Sequence, residues 1–397
     1  MNNSSANQPF RILICYANTG GGHKTAADAI CQALKELSAR QNQSDRVEIF
    51  VETVVEETNA VNAKFVQLYN YLLRHKPEWM KYYTGFIETF KPNENYLAYY
   101  FCRKFLAKLY KRVQPDVVVS VHPMVNHYMA LARRHAGRLE KTQLIVVLTD
   151  PNAHLWSGWA CKDANMLIAP NDLACNRLIE MGIDPAKIKT IGMPVEPVFV
   201  HPAVIPRAKL LADLGLDPER LTVLLSGGWA GGGALVAMYE ALKKVKRPIQ
   251  VIVLCGNNKV LRSKMAECIS KALPTVVLGF TDDVSDLFNA ADLLVTKAGG
   301  LTTFEAVARR LPMAINVLTE PMPQEMGTIQ MLVDANLARP IRALTDLTAI
   351  VEELEPVPDR QRQALPAIHN LDRVDAVYEI AQIILDLDKI PVVLAET

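Results

Sequence analysis

The chain has no hydrophobic run approaching the roughly 20 residues of a membrane-spanning helix. Its first residues, Met1 to Pro9, lack both the apolar core of a signal peptide and the arginine-rich pattern of a transit peptide. These absences predict a protein that is soluble or rests on a membrane without crossing it. Charge of one sign is also lacking. The formal balance is +1, so no global field selects nucleic acid, and no nucleic acid partner is expected. Any electrostatic partner must be met by a local patch. Paired cysteines are missing: the seven are odd in number and scattered, without a CxxC, which predicts reduced thiols in a cytosolic protein. No Asp-x-Asp pair is assigned to a divalent metal and the eight histidines have no metal-ligand spacing, so neither metal nor other cofactor is expected. Neither Walker A loop nor G-x-G-x-x-G fingerprint is present.

What is present is an alternation of short apolar runs with helical stretches. Half the residues are hydrophobic, enough for large cores, and 397 residues suit two or three domains. Runs 11–17, 47–53, 116–121, 144–149, 166–169 and 188–191 read as buried parallel strands. Pro194, Pro197, Pro202 and Pro206 then mark a linker, since proline removes backbone donors and disfavours helix before it. The pattern restarts with runs 221–226, 250–255, 275–278, 293–296 and 313–317. The expected class is α/β: two Rossmann-like, doubly wound parallel-sheet domains with an interdomain cleft. Their expected bounds are 1–195 for the first half, 196–206 for the linker and 207–365 for the second half. Residues 366–397 are expected to supply a C-terminal helix packing back toward the first half.

In such sheets ligands bind beyond the carboxyl ends of strands, and the candidate motifs fall there. Asn18-Thr19-Gly20-Gly21-Gly22-His23 follows the first strand. Its glycines permit a tight turn, and the next helix offers free N–H groups. The imidazole of His23 either takes a proton from an acceptor hydroxyl or caps the helix. Ser226-Gly227-Gly228-Trp229-Ala230-Gly231-Gly232-Gly233 has five glycines in eight residues, more than a tight turn needs, and suits phosphate or sugar approach. In Thr296-Lys297-Ala298-Gly299-Gly300-Leu301-Thr302-Thr303-Phe304-Glu305, a helix starting near Thr302 or Thr303 suits a diphosphate. Glu305, in the first turn, either accepts ribose hydroxyls or acts as a capping-box acid. Gln324 and Glu325 offer adjacent groups for sugar hydroxyls. His122 and Asp150, each after a strand, orient an acceptor, support a base or serve structure alone.

The segment from Phe65 to Tyr110 carries 14 of the chain's 27 aromatic residues, interleaved with Arg74, Lys76, Lys81, Arg103, Lys104, Lys108, Lys111 and Arg112. Rings beside cations suit an anionic headgroup interface. The alternative is a helical pair packed on the sheet, with ordinary surface lysines.

Together these motifs resemble the monogalactosyldiacylglycerol synthase and processive diacylglycerol glucosyltransferase family, which is glycosyltransferase family 28-like. More distantly they resemble the peptidoglycan N-acetylglucosaminyltransferase. The similarity runs from Arg11 to Leu337. It rests on Gly20-Gly21-Gly22-His23, Gln114-Pro115-Asp116, Ser120-Val121-His122-Pro123, Thr149-Asp150, Ile191-Gly192-Met193-Pro194-Val195 with Pro197, Lys297-Ala298-Gly299, Thr303 with Glu305-Ala306, and Gln324-Glu325. The resemblance implies a GT-B fold, with residues 1–195 binding acceptor and membrane and residues 207–365 binding the UDP-sugar, and an inverting transfer of a hexose from that UDP-sugar to the hydroxyl of diacylglycerol. The location it implies is peripheral, on the cytoplasmic, inner face of a membrane. His23 would be the base or an acceptor contact, with Asp150 in support. Gly22, Gly227, Gly228, Lys297, Gly299, Gly300, Thr302, Thr303, Glu305, Gln324 and Glu325 would line the donor site. His122, Arg103, Lys104 and Lys108 would serve acceptor and membrane. Three departures bear on the sugar: Gly300-Leu301 replaces the family's Pro-Gly, Met322-Pro323 precedes Gln324 where Pro-Gly is usual, and Thr328 stands for an asparagine. Other readings are transfer to a different amphiphile, a UDP-N-acetylglucosamine 2-epimerase-like isomerase and a non-enzymatic UDP-sugar sensor.

Overall fold

A computed structural model describes residues 8–228, 234–355, 373 and 375–389. The chain divides into two compact units. One comprises Met1–Leu72, Trp79–Pro197 and Arg373–Thr397, and the other Leu73–Glu78 and Val198–Asp372. The expected boundary at 365/366 lies outside the described residues, as do Trp229 to Gly233 of the glycine loop.

The first unit holds six parallel strands: β1 (Phe10–Tyr16), β2 (Val47–Thr53), β3 (Val117–Ser120), β4 (Gln143–Val147), β5 (Met166–Ala169) and β6 (Ile188–Thr190), in the order β2-β1-β3-β4-β5-β6. Their apolar runs are continuous because helices cover both faces. Leu13, Val118, Val146 and Leu167 join Tyr110 and Trp159 in one core. The C-terminal helix Ala376–Asp386 belongs to this unit and lies against the helix Gly22–Arg40. Gln41 Nε2 donates to Gln382 Oε1 at 2.7 Å, and Tyr378 donates to Glu36. Gly192, just after β6, lets the start of the C-terminal helix come close: its φ is +144°, and a Cβ there would fall 2.5 Å from the Ala376 Cβ.

The second unit repeats the plan with β7 (Leu221–Ser226), β8 (Ile249–Leu254), β9 (Thr275–Leu278), β10 (Leu293–Thr296), β11 (Met313–Asn316) and β12 (Ala338–Ile341), in the order β12-β11-β10-β7-β8-β9, all parallel. β12 escapes the apolar-run reading because Arg339 and Pro340 interrupt it. As an edge strand it tolerates a residue without an N–H. Asp292 anchors this unit. Its Oδ2 accepts from Arg207 at 2.9 Å and from the Thr222 N–H at 2.8 Å, with the carboxylate 5% exposed.

Both orders contain a switch point, where consecutive crossovers leave in opposite directions and open a crevice beyond the strand ends. It lies between β1 and β3 in the first unit and between β7 and β10 in the second. His23 and His122 follow β1 and β3, and Gly227 and Lys297 follow β7 and β10. Among the described residues no helix is long and apolar enough to cross a membrane.

Candidate functional site

The turn after β1 is pinned from outside its own sequence. Gly20 adopts φ +66°, its N–H donates to Asn70 Oδ1 at 3.0 Å, and Asn70 Nδ2 donates back to the Asn18 carbonyl at 2.8 Å. The Asn18 N–H donates to Glu56 at 3.0 Å. Gly21 caps the helix Gly22–Arg40, so His23 sits in its first turn. Lys24 points the other way and pairs with Asp28 on the exposed face.

His23 is fixed in one tautomer by its partners. Nδ1 lies 2.9 Å from the Val121 carbonyl oxygen, which only accepts, so Nδ1 carries the proton and donates. Thr149 Oγ1 also lies 3.0 Å from Nδ1. The lone pair of the neutral ring is therefore on Nε2. Burial pushes the His23 pKa below the ordinary value, while Asp150 and the Val121 carbonyl pull it up. Burial raises the Asp150 carboxyl, against the opposing pull of His23 and of Trp159. Trp159, fully buried, donates its indole N–H to Asp150 Oδ2 at 2.7 Å.

His122 shares the site in a different role. Its Nδ1 accepts the Met124 N–H at 3.1 Å, capping the helix Pro123–His135, so Nε2 is the protonated nitrogen and donates to Thr19 Oγ1 at 2.7 Å. Both nitrogens are thus engaged within the protein. Its ring meets His23 edge-on with centroids 4.2 Å apart, and burial holds it well below the ordinary histidine value. The structure thus brings His23, His122 and Asp150 together. Thr19 and Trp159, which sequence reasoning passed over, complete the cluster. The available signal for Trp159 was a second tryptophan three residues after Trp156, in a loop where no helix face needs one.

In the second unit, Gly228 has φ +67°, and a Cβ there would meet Lys297 Cε at 3.4 Å, so the two loops after β7 and β10 adjoin. The helix after β10 spans Gly300–Ala308 with Gly299 as its cap, two to three residues earlier than the sequence suggests. The paired glycines carry the cap themselves, and Thr303 turns its hydroxyl back to the carbonyls of Gly299 and Gly300, at 3.0 Å each. Glu305 is therefore in the second turn and 7% exposed, not a capping-box acid. Thr302 lies in the first turn, whose N–H groups have no intrahelical acceptor. Gln324 belongs to the helix Pro323–Asp334, but its side chain lies outside the described atoms. Glu325 Oε2 accepts the Met322 N–H at 3.2 Å and caps its own helix.

The aromatic segment forms the helices Ala60–His75, Met80–Phe90 and Tyr96–Val113. Tyr99 and Tyr110 are buried, as a packed pair requires. Phe65, Tyr71, Trp79, Tyr82, Phe86, Phe90, Tyr96, Tyr100 and Phe101 are exposed, which packing on the sheet does not account for. Arg103, Lys104 and Lys108 are exposed too, with the Arg103 guanidinium 3.8 Å from the Tyr100 ring centroid.

Among the described residues no three His, Cys, Asp or Glu side chains are grouped to hold a metal. The chain's Asp386-Leu387-Asp388 ends the C-terminal helix with both acids engaged. Asp386 accepts from Gln382 at 2.9 Å, and Asp388 pairs with Arg46 at 3.2 Å.

Comparison with known proteins agrees with this layout. Residues 23–195 match the monogalactosyldiacylglycerol (MGDG) synthase family model, and residues 222–363 match the glycosyltransferase family 28 C-terminal domain. The monogalactosyldiacylglycerol synthase, chloroplastic, of Spinacia oleracea is 30% identical over 393 residues, covering 96% of this chain and 73% of the spinach protein. Among solved structures, Acinetobacter baumannii MurG aligns with a TM-score of 0.56 at 15% identity, covering 95% of this chain and all of that one. A Listeria monocytogenes UDP-N-acetylglucosamine 2-epimerase aligns with a TM-score of 0.61 at 14% identity, covering 96% and 97%. These two likenesses show the fold, GT-B, shared by transferase and epimerase alike. The sequence relation goes further: the chain belongs to the monogalactosyldiacylglycerol synthase family.

Proposed function

We propose that the protein is an inverting glycosyltransferase that moves a hexose from a UDP-sugar to the hydroxyl of diacylglycerol, making glycolipid at a membrane surface. The observation that carries the proposal is the tautomer of His23: a neutral imidazole whose Nε2 lone pair is free, beside a carboxylate that favours the imidazolium. That is the equipment of a general base. A non-catalytic sugar sensor has no use for it. An epimerase has no use for the exposed aromatic and basic surface.

In the reaction, the acceptor hydroxyl gives its proton to His23 Nε2 as its oxygen bonds the anomeric carbon. The bond from that carbon to the diphosphate oxygen breaks, and UDP leaves with the electron pair. A single displacement of this kind inverts the carbon. Asp150 stabilises the imidazolium. We assign the leaving charge to the N–H groups of Gly300, Leu301 and Thr302, to Lys297, and to the backbone at Gly227 and Gly228. This assignment needs no divalent cation. Glu305 is assigned to the ribose, Gln324 with Glu325 to the sugar, and Gly22, next to His23, to the donor as well. His122 acts by holding Thr19 and walling the base. The exposed aromatics, with Arg103, Lys104 and Lys108, rest on anionic lipid at the inner, cytoplasmic face.

A panel of UDP-galactose, UDP-glucose and UDP-N-acetylglucosamine with diacylglycerol, read by product mass with and without EDTA, tests the proposal. One hexosyl-diacylglycerol, formed equally in EDTA, is expected. Absence of any such product refutes the acceptor, and loss in EDTA refutes metal independence.

A further inference from the structure

The helix Met80–Phe90 shows two characters. Trp79, just before it, and Tyr82, Phe86 and Phe90 face solvent, while Met80, Thr84 and Ile87 are buried. Between these faces Glu88 accepts the N–H of Ser157, 69 residues away, at 3.0 Å. Ser157 opens the short turn Ser157–Trp159, and Trp159 is the donor to Asp150. The turn has no slack. The Gly158 carbonyl accepts from Asn126 Nδ2 at 2.8 Å, and a Cβ on Gly158 would meet the Pro123 carbonyl oxygen at 2.6 Å and Asn93 Nδ2 at 2.9 Å. Asn93 lies three residues beyond the same aromatic helix, in a loop whose Pro92 carbonyl accepts from Tyr128 at 3.0 Å. Two points of the aromatic segment thus touch one turn, and that turn holds the carboxylate beside the base.

We propose that Glu88 is a positioning residue for the His23–Asp150 pair, acting through the Ser157–Trp159 turn and so tying the exposed aromatic helix to the reacting base. The proposal rests on His23 being the base. The titratable groups facing one another at this site are His23, Asp150 and His122. Glu88 touches none of them and acts only through the turn. Loss of Glu88 removes the anchor at the start of the turn, while Asn126 still holds its middle, and so weakens the hold of the indole donor on Asp150. A carboxyl without its donor keeps its proton to higher pH. The active pair, carboxylate with neutral imidazole, is then lost earlier on acidification. His23, facing a neutral carboxyl, takes up its own proton at lower pH.

The test uses the full-length protein, the UDP-hexose that gives product, and dioleoylglycerol in phosphatidylcholine–phosphatidylglycerol vesicles. Glu88→Ala and Trp159→Phe are expected to lower kcat about tenfold with the KM for UDP-hexose unchanged. Both should move the acid limb of kcat to higher pH. Glu88→Gln, whose amide oxygen still accepts from Ser157, should restore wild-type behaviour. A second reading, independent of turnover, is the NMR titration of the His23 ring, expected to move to lower pH in Glu88→Ala and not in Glu88→Gln. A Glu88→Ala variant with unmoved acid limb and unmoved His23 titration overturns the proposal, whatever its yield of folded protein. If the wild type makes no glycolipid, the functional reading fails, and the His23 titration still decides the role of Glu88.

Discussion

Replacing Gly192 with alanine tests how the C-terminal helix is held. The added Cβ would sit 2.5 Å from the Cβ of Ala376 and 3.2 Å from that of Arg373. Carbon atoms in contact settle at about 3.5–4.0 Å, so the helix must retreat by about 1 Å. The backbone at φ +144° adds strain of about 1–3 kcal/mol for a residue with a side chain. Overpacking adds about 1–3 kcal/mol more. The retreat loosens the seat of Val377, Ile380, Ala381, Ile384 and Leu385, all buried, and the bonds from Arg373 to the carbonyls of Thr190 and Ile191. A loss of about 2–6 kcal/mol is expected. Hydrogen exchange of residues 376–386, read by mass spectrometry, suits a chain of two units whose global unfolding need not be two-state. At tenfold per about 1.4 kcal/mol, exchange should quicken by at least about twentyfold. Gly137→Ala is the control: its φ is +64°, but nothing lies within 4 Å of the added atom, so only about 1–2 kcal/mol of backbone strain applies. If the two variants protect the helix equally, the close approach at Gly192 is not what seats it.

Other consequences are equally direct. His23→Ala removes the base and should lower kcat by about 10²–10⁴-fold with little change in the KM for UDP-hexose; a wild-type rate refutes the assignment. Because His122 is held well below its ordinary value of 6.5, the unfolded chain binds a proton near pH 5.5 that the folded chain refuses. Stability present above pH 6.5 is therefore lost as pH falls. Asp150, raised by burial, acts in the opposite sense. The clean measurement is thus the difference from His122→Asn, which can still cap its helix. Between pH 7.5 and 5.5 the variant should lose about 1 kcal/mol less in urea unfolding, and equal losses refute the reasoning. Neutralising Arg103, Lys104, Lys108, Lys111 and Arg112 should weaken flotation with phosphatidylglycerol vesicles at least tenfold, at about 1 kcal/mol per cation near the surface. Arg112 should contribute least, since it pairs with Glu52, and unchanged flotation removes these cations from the interface.

The sequence by itself determined the two sheets, because a parallel strand covered on both faces must be a continuous apolar run, as in β1, β3, β7 and β8. It also marked the loops after β1, β7 and β10 as candidates, since glycines after a strand announce close backbone approach whatever the rest of the chain does. β12 was not legible, because an edge strand is fixed by its neighbour and not by its own composition. The helix start at Gly300 was missed because glycine and threonine rank about equally as caps, and only the backbone path shows that Gly299 serves. Tertiary structure alone decided the state of the His23–Asp150 pair. No local pattern ties Val121 to His23, Trp159 to Asp150 or Glu88 to Ser157. These contacts span between 9 and 98 residues, and the one from Val121 fixes which nitrogen of His23 holds the proton. Exposure of the aromatic residues was likewise undecided in the sequence. A ring reads the same on either face of a helix, and only the packed fold shows Tyr99 turned inward and Phe101 left in solvent.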